Sequence, residues 1–77
     1  MNDTVRAPII LYAALNDGVV TGGDDPAKIG RRWFFITVVD ADGARTDVWN
    51  GPSYEDARAA LAEWQRDGVL TVDLRAL

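Results

Sequence analysis

Cysteine and histidine are both missing from this chain, and serine and lysine occur once each, as Ser53 and Lys28. Without thiols there is no disulfide and no cysteine nucleophile; without imidazole there is no Ser-His triad, no histidine general base and no Cys/His zinc site. A Ser-Lys pair is formally left, but Ser53 has a better use as a helix cap. Basic charge is also scarce: eight Lys and Arg stand against twelve Asp and Glu, a net charge of −4. That balance disfavours nucleic acid as a direct ligand, because neutralising phosphates supplies most of such affinity. It suits solubility or a basic protein partner. There is no long apolar run and no basic leader with a cleavage-like segment, so neither a membrane span nor a signal peptide is expected. A cytoplasmic location is the default.

What is present is ordinary for a small globular domain: 77 residues, 48% apolar and 26% charged, near the lower limit for folding on one core. The expected unit is a single domain over residues 1–77, with a frayed start over 1–6 and a loop over 22–30. "APIILYAAL" at Ala7 to Leu15 has the apolar density of a strand, although its alanines and leucines would also suit a helix, and Pro8 limits pairing near its start. "NDG" at Asn16 to Gly18 reads as a tight turn and "VVT" at Val19 to Thr21 as a short return strand. In "GGDDPAKIG", Asp25 suits an N-cap, Pro26 a first helical position and Gly30 a stop, which predicts one helical turn.

Arg31 to Val39 is the strongest strand, "DADG" at Asp40 to Gly43 a hairpin turn, and "ARTDVWN" at Ala44 to Asn50 the partner strand. The partner is expected to place Thr46 and Val48 on one side, and Arg45, Asp47 and Trp49 on the other. Ser53 then caps a helix, with Asp56 three residues on approximating a capping box and Gly68 as the stop. Tyr54, Ala57, Leu61 and Trp64, with Ala60 beside them, make its apolar stripe. "VLTVDL" alternates, which predicts Leu70, Val72 and Leu74 facing in and Thr71 and Asp73 facing water. The fold class is α+β: a mainly antiparallel sheet of about four strands with one amphipathic helix packed on one face. The last strand should run in the direction of Ala44–Asn50.

"GRRWFFITVVDADG" does not alternate apolar with polar. Trp33, Phe35 and Val39 point one way, and Phe34, Ile36 and Val38 the other. A helix of about fourteen residues is ~21 Å long and ~10 Å wide, enough for one face of a four-stranded sheet. One apolar set is therefore left uncovered, with Arg31, Arg45, Asp47 and Trp49 among it. The loop 22–30, a second copy or another protein could cover it.

Candidate chemistry is sparse. Asp40, Asp42 and Asp47 around Gly43 lack the ligand spacing and the final glutamate of a calcium loop. Adjacent acids at Asp24–Asp25 and Glu55–Asp56 have the ordinary explanation of solvated surface, so no catalysis, no cofactor and no metal is expected. Lys28, Arg31 and Arg32 followed by Trp33 form the one basic cluster beside an aromatic, the pattern of a small single-strand binder. Asp56, Glu63 and Asp67 fall at about 200°, 180° and 220° on the helical wheel, a single acidic edge.

The segment "WFFITVVDADGARTDVWNGPSYEDARAALAEW", Trp33 to Trp64, is a hairpin followed at once by a capped amphipathic helix. In this it resembles the core of small acidic phage-encoded inhibitors of the anti-CRISPR type. The resemblance implies a protein without catalysis that sits on a nucleic-acid-binding complex and blocks its target site. No motif carries family residues over.

The expectation is a non-catalytic protein-interaction module, most simply an acidic inhibitor on a basic, nucleic-acid-binding surface of a larger protein or nucleoprotein complex. Asp40, Asp42, Asp47, Asp56, Glu63 and Asp67 would steer and pair, while Trp33, Phe35 or Trp49 anchors. The alternatives are a homodimeric structural or regulatory domain whose second sheet face is the interface, and a nucleic-acid binder using Lys28, Arg31, Arg32 and Trp33.

Overall fold

Leu15 and Ile36 lie opposite each other on neighbouring strands, and among the described residues they are the two large side chains that solvent does not reach. The computed structural model of the chain describes residues 9–77, and around that pair it builds four strands and one helix. These are β1 (Ile10–Val19), β2 (Arg32–Asp40), β3 (Arg45–Gly51), α1 (Tyr54–Arg66) and β4 (Leu70–Asp73), with a single 3-10 turn at Pro26–Lys28 between β1 and β2. The sheet order is β3-β2-β1-β4. β1 and β3 both run antiparallel to β2, whereas β4 lies parallel to β1. The fold is thus α+β with a mostly antiparallel sheet, and β4 runs in the direction of β3, as expected. None of the described helices is long and apolar enough to cross a membrane. The expected frayed start and the effect of Pro8 lie outside the described residues.

The helix settles which apolar set is the core. Ala57 and Leu61 are buried against Ala13, Leu15, Phe34, Ile36 and Val38, with Tyr54, Ala60 and Trp64 packed at the margin. The apolar stripe expected from helical spacing is the one that packs. Its ends are made as the sequence implies. The Ser53 hydroxyl accepts from the Asp56 N–H (3.2 Å), and Gly68 takes a left-handed φ of 89° while the Val69 N–H reaches back to the Trp64 carbonyl (3.1 Å). The 3-10 turn is capped by Asp25, whose Oδ1 accepts from the Ala27 N–H at 3.0 Å.

Three local expectations are corrected. Asn16–Gly18 is no turn: these residues pair with Phe35, Phe34 and Trp33, so the expected return strand is the far end of β1 itself. The ladder continues through mutual hydrogen bonds of Val20 with Gly30 and Arg31, and the real reversal is the loop beyond Val20. Gly18 has no left-handed φ and sits opposite Trp33 in open space, where an added Cβ would meet nothing within 4 Å. Second, a bulge at Val48 breaks the β2–β3 register, so Trp49 pairs with Ile36 and turns to the helix side, not to the face of Arg45 and Asp47. Third, β4 is inverted. Its register pairs Ala13 with Thr71 and Leu15 with Asp73, which puts Thr71 and Asp73 on the helix side and Leu70 and Val72 on the other.

The Trp49 ring lies so close to Gly51 that an added Cβ there would sit 2.9 Å from it. Gly51→Ala is therefore expected to lower stability by about 1–3 kcal/mol, the usual range for overpacking. Urea unfolding checks this. Most of the loss should disappear when Trp49→Leu is combined with it, and an additive double variant would contradict the contact.

Candidate functional site

The face away from the helix is built row by row from the strand registers. Tyr12, Val39 and Leu70 share the first row, and Ala14, Thr37, Val72 and Asp47 the second. Asn16, Phe35 and Asn50 form the third, and Gly18 with Trp33 the fourth. No element of the described residues lies across this face. Small Ala14 is buried by its neighbours, but Tyr12, Trp33, Phe35, Val39 and Val72 are only half-buried. Leu70 is 71% exposed and Leu74 43% exposed, so the inverted β4 makes the uncovered surface more apolar than the sequence implied. Each buried large side chain stabilises a domain by roughly 1.5–3 kcal/mol, and this face forgoes part of that.

The β1–β2 loop reaches only the Trp33 end. All residues from Thr21 to Gly30 are exposed, including Ile29 at 48%, so the loop does not serve as a lid. It walls an open depression of about 610 Å³ whose floor is Trp33 and Phe35 and whose rim carries Asp24, Asp25 and Asn50. Trp33 is held in place from both sides. Its Nε1 donates to Asn50 Oδ1 (3.0 Å), and the Lys28 ammonium lies 4.9 Å from the ring centroid. An indole face that already seats one cation, beside two carboxylates, has the chemistry to receive a basic side chain.

The remaining expected residues are not gathered with it. Asp47 is on the helix-free face, where its Oδ1 accepts from the Thr37 hydroxyl at 2.7 Å. Asp40 and Asp42 are at the β2–β3 turn, and Asp40 Oδ1 serves the turn itself by accepting from the Asp42 and Ala44 N–H groups (2.9 and 3.0 Å). Asp56 sits in the first turn of α1. Glu63 and Asp67 line a shallow groove with Val48, Trp49, Ala60 and Trp64, on the opposite layer from Trp33 and Phe35. Glu63 is loosely compensated by Arg66 at 3.9 Å. Among the described residues no three acids converge tightly enough to hold a metal ion. The basic cluster is divided too: Lys28 lies on Trp33, while the Arg32 guanidinium pairs with Asp17 on the helix side.

A second polar constellation has no counterpart in the sequence reading. Tyr54, at the start of α1, donates its hydroxyl to the Asp73 carboxylate at the end of β4. Arg75 follows, with its guanidinium 4.7 Å from the Tyr54 ring and 5.3 Å from Phe34, and reaches Asp17 at 3.5 Å. Asp17 thereby joins Arg32 of β2 and Arg75 of the tail. These contacts span up to 58 residues of sequence (Asp17 to Arg75); only the fold brings them together. A cleft of about 310 Å³ beside them is lined by Arg58, Leu61, Gln65 and Thr71. Its arrangement is that of a clasp holding β4 and the tail to the helix.

No protein-family model matches the chain, and neither the curated proteins nor the solved structures compared with it give a match.

The clasp has a pH signature. The hydrogen bond to Asp73, followed by burial and the Asp73 charge, raises the Tyr54 hydroxyl above the ordinary tyrosine range, against the lowering effect of Arg58 and Arg75. A group raised on folding contributes stability below its unfolded value, about 10 for tyrosine, and loses it as pH climbs through the folded one. Tyr54→Phe should lower the urea midpoint at neutral pH, and the gap to the parent should close under alkaline conditions. A gap unchanged through the alkaline titration would contradict the clasp.

Proposed function

We propose that this chain is a non-catalytic interaction module that seats basic side chains of a larger protein at the Trp33 end of its helix-free sheet face. In its specific form it is an inhibitor that occupies a nucleic-acid-binding surface, the role implied by the resemblance to small phage-encoded inhibitors of the anti-CRISPR type. The observation that carries the reading is the Trp33 indole, hydrogen-bonded in place by Asn50, rimmed by Asp24 and Asp25, and already lying against an ammonium group.

Further support comes from charge. The net −4 draws a basic partner in from a distance, and the acids outside the depression act through that field without touching the partner. A nucleic-acid-binding surface presents arginines and lysines spaced to meet phosphates, which is what an aromatic floor with a carboxylate rim accepts. Phe35 widens the floor and Asp47 extends the acidic border along β3. Trp49 is not part of this anchor, because its ring packs beside the helix. Direct nucleic-acid binding is the weaker reading: Arg32 is paired to Asp17 on the helix side, and the depression that holds Lys28 and Trp33 is also lined by Asp24 and Asp25.

A labelled oligonucleotide bound to a deca-arginine peptide provides the test. Added protein should release the oligonucleotide, less so as salt rises, with a change in tryptophan fluorescence as the peptide binds. Trp33→Leu combined with Asp24→Asn should weaken release at least about tenfold, the scale of a desolvated cation–π contact with its paired charge. Glu63→Gln with Asp67→Asn should leave it nearly intact. Equal losses from the two double variants would show a diffuse acidic field and no seat, and no release at all would overturn the inhibitor reading.

A further inference from the structure

We infer that the helix-free sheet face is the bed of an amphipathic helix of the partner, laid along β1 with acids in its first turn and basic residues in its last. This deepens the proposed function and rests on it: the basic side chains that enter the Trp33 seat are those of the helix's last turn. The inference starts from the relief of the face. β1 places small residues there, Ala14 and Gly18, with Asn16 between them. The Asn16 carboxamide bends back onto the Asp17 N–H (2.8 Å), which holds it close to the strand. The flanking strands carry larger side chains: Trp33, Phe35 and Val39 on β2, Leu70 and Val72 on β4. A Cβ added at Gly18 would meet nothing within 4 Å, so the furrow between these walls is open.

Its dimensions are those of one helix. Neighbouring strands lie about 4.8 Å apart, so the β2 and β4 walls stand roughly 10 Å from each other, the diameter of an α-helix. From Trp33 to Val39 the furrow runs ~20 Å, the length of about 13 helical residues. Backbone chemistry points the same way. The hydrogen bonds of a sheet lie in its plane, so this face offers no backbone group to a chain laid upon it. An extended segment would bury its own N–H and C=O groups unpaired there, whereas a helix pairs them internally. A second sheet would rest on the two walls and leave the space over Ala14 and Gly18 empty.

Charge sets the direction. Asp24 and Asp25 rim the Trp33 end, while at the other end Arg45 stands beside Val39 in the β2–β3 ladder. Between the two, Asp47 already accepts from the Thr37 hydroxyl at 2.7 Å. The complementary occupant has an apolar stripe, cations for the Asp24–Asp25 end and an acid for Arg45. A helix holds acids in its first turn and bases in its last because its macrodipole favours both, so the last turn lies at Trp33. The chain has no such helix to offer a second copy of itself, since the apolar stripe of α1 is packed in its own core.

The probe is a synthetic peptide of about eighteen residues, with glutamates in its first turn, leucines at helical spacing and arginines in its last turn. Titrated into the full chain, it should gain helicity by circular dichroism and shift the methyl resonances of Ala14 and Val72. A peptide of the same composition with its glutamates and arginines exchanged should bind at least about tenfold more weakly. Leu70 is 71% exposed and three rows from Trp33. Leu70→Asp should therefore weaken the first peptide at least about tenfold while leaving the release of oligonucleotide from deca-arginine unchanged. Failure of that release in the parent chain would overturn the proposed function and this inference with it. With release intact, equal binding of the two peptides, no gain of helicity, or binding indifferent to Leu70→Asp would overturn this inference alone. A dimer mass for the chain by itself, lost in Leu70→Asp, would place a second copy in the furrow and overturn it as well.

Discussion

Leu15 on β1 and Ile36 on β2, sealed under Ala57 and Leu61 of one short helix, are the constraint on which everything else depends. A 13-residue helix is about 20 Å long and ~10 Å wide, while four strands span about 14 Å from edge to edge. The helix can close one side of this sheet and no more. Once Leu15 and Ile36 face it, the period of two carries Trp33, Phe35, Val39 and Tyr12 to the other side. Truncating either central residue would cost about 2–5 kcal/mol, a large part of what so small a domain has in total.

The same constraint explains why the polar clasp lies where it does. β4 is only four residues long and packs at the rim of the helix, so apolar burial alone holds it weakly. Tyr54, Asp73, Arg75 and Asp17 tie it to α1, β1 and β2 at the end where the helix begins. Because Asp73 is held there, Leu70, Val72 and Leu74 are turned to the open side. An inward carboxylate thus enlarges the outward apolar surface, and packing on one layer sets the recognition chemistry on the other.

Much of this was legible from local chemistry. The helix, its serine cap and glycine stop, the Asp40–Gly43 turn and the Pro26 turn all follow from residues within four or five positions of one another, and each is found. So is the shortage of helix to cover both faces. What could not be read was register. Asn-Asp-Gly is a strong turn signal, but here the nine ladder positions that pair β1 with β2 outweigh it. A single extra residue at Val48 moved Trp49 across the sheet, and one inward hydrogen bond reversed the alternation of β4. Of the expected acids, Asp42, Asp47, Asp56, Glu63 and Asp67 are exposed and Asp40 is half-buried, and they divide between two layers and a turn. The seat around Trp33 draws instead on Asn50, Asp24 and Asp25, which only the β1–β2 loop and the β3 pairing bring to it.

The most direct test of the central claim is hydroxyl-radical footprinting of the isolated chain, read residue by residue. The account expects Trp33, Phe35, Leu70 and Leu74 to be oxidised readily while Leu15, Phe34 and Ile36 stay protected until the protein unfolds. Adjacent phenylalanines, Phe34 and Phe35, make the comparison internal, since they differ in the face they occupy and in little else. Equal protection of the two, or oxidation of Ile36 at the rate of Trp33, would contradict a sheet closed on one side only.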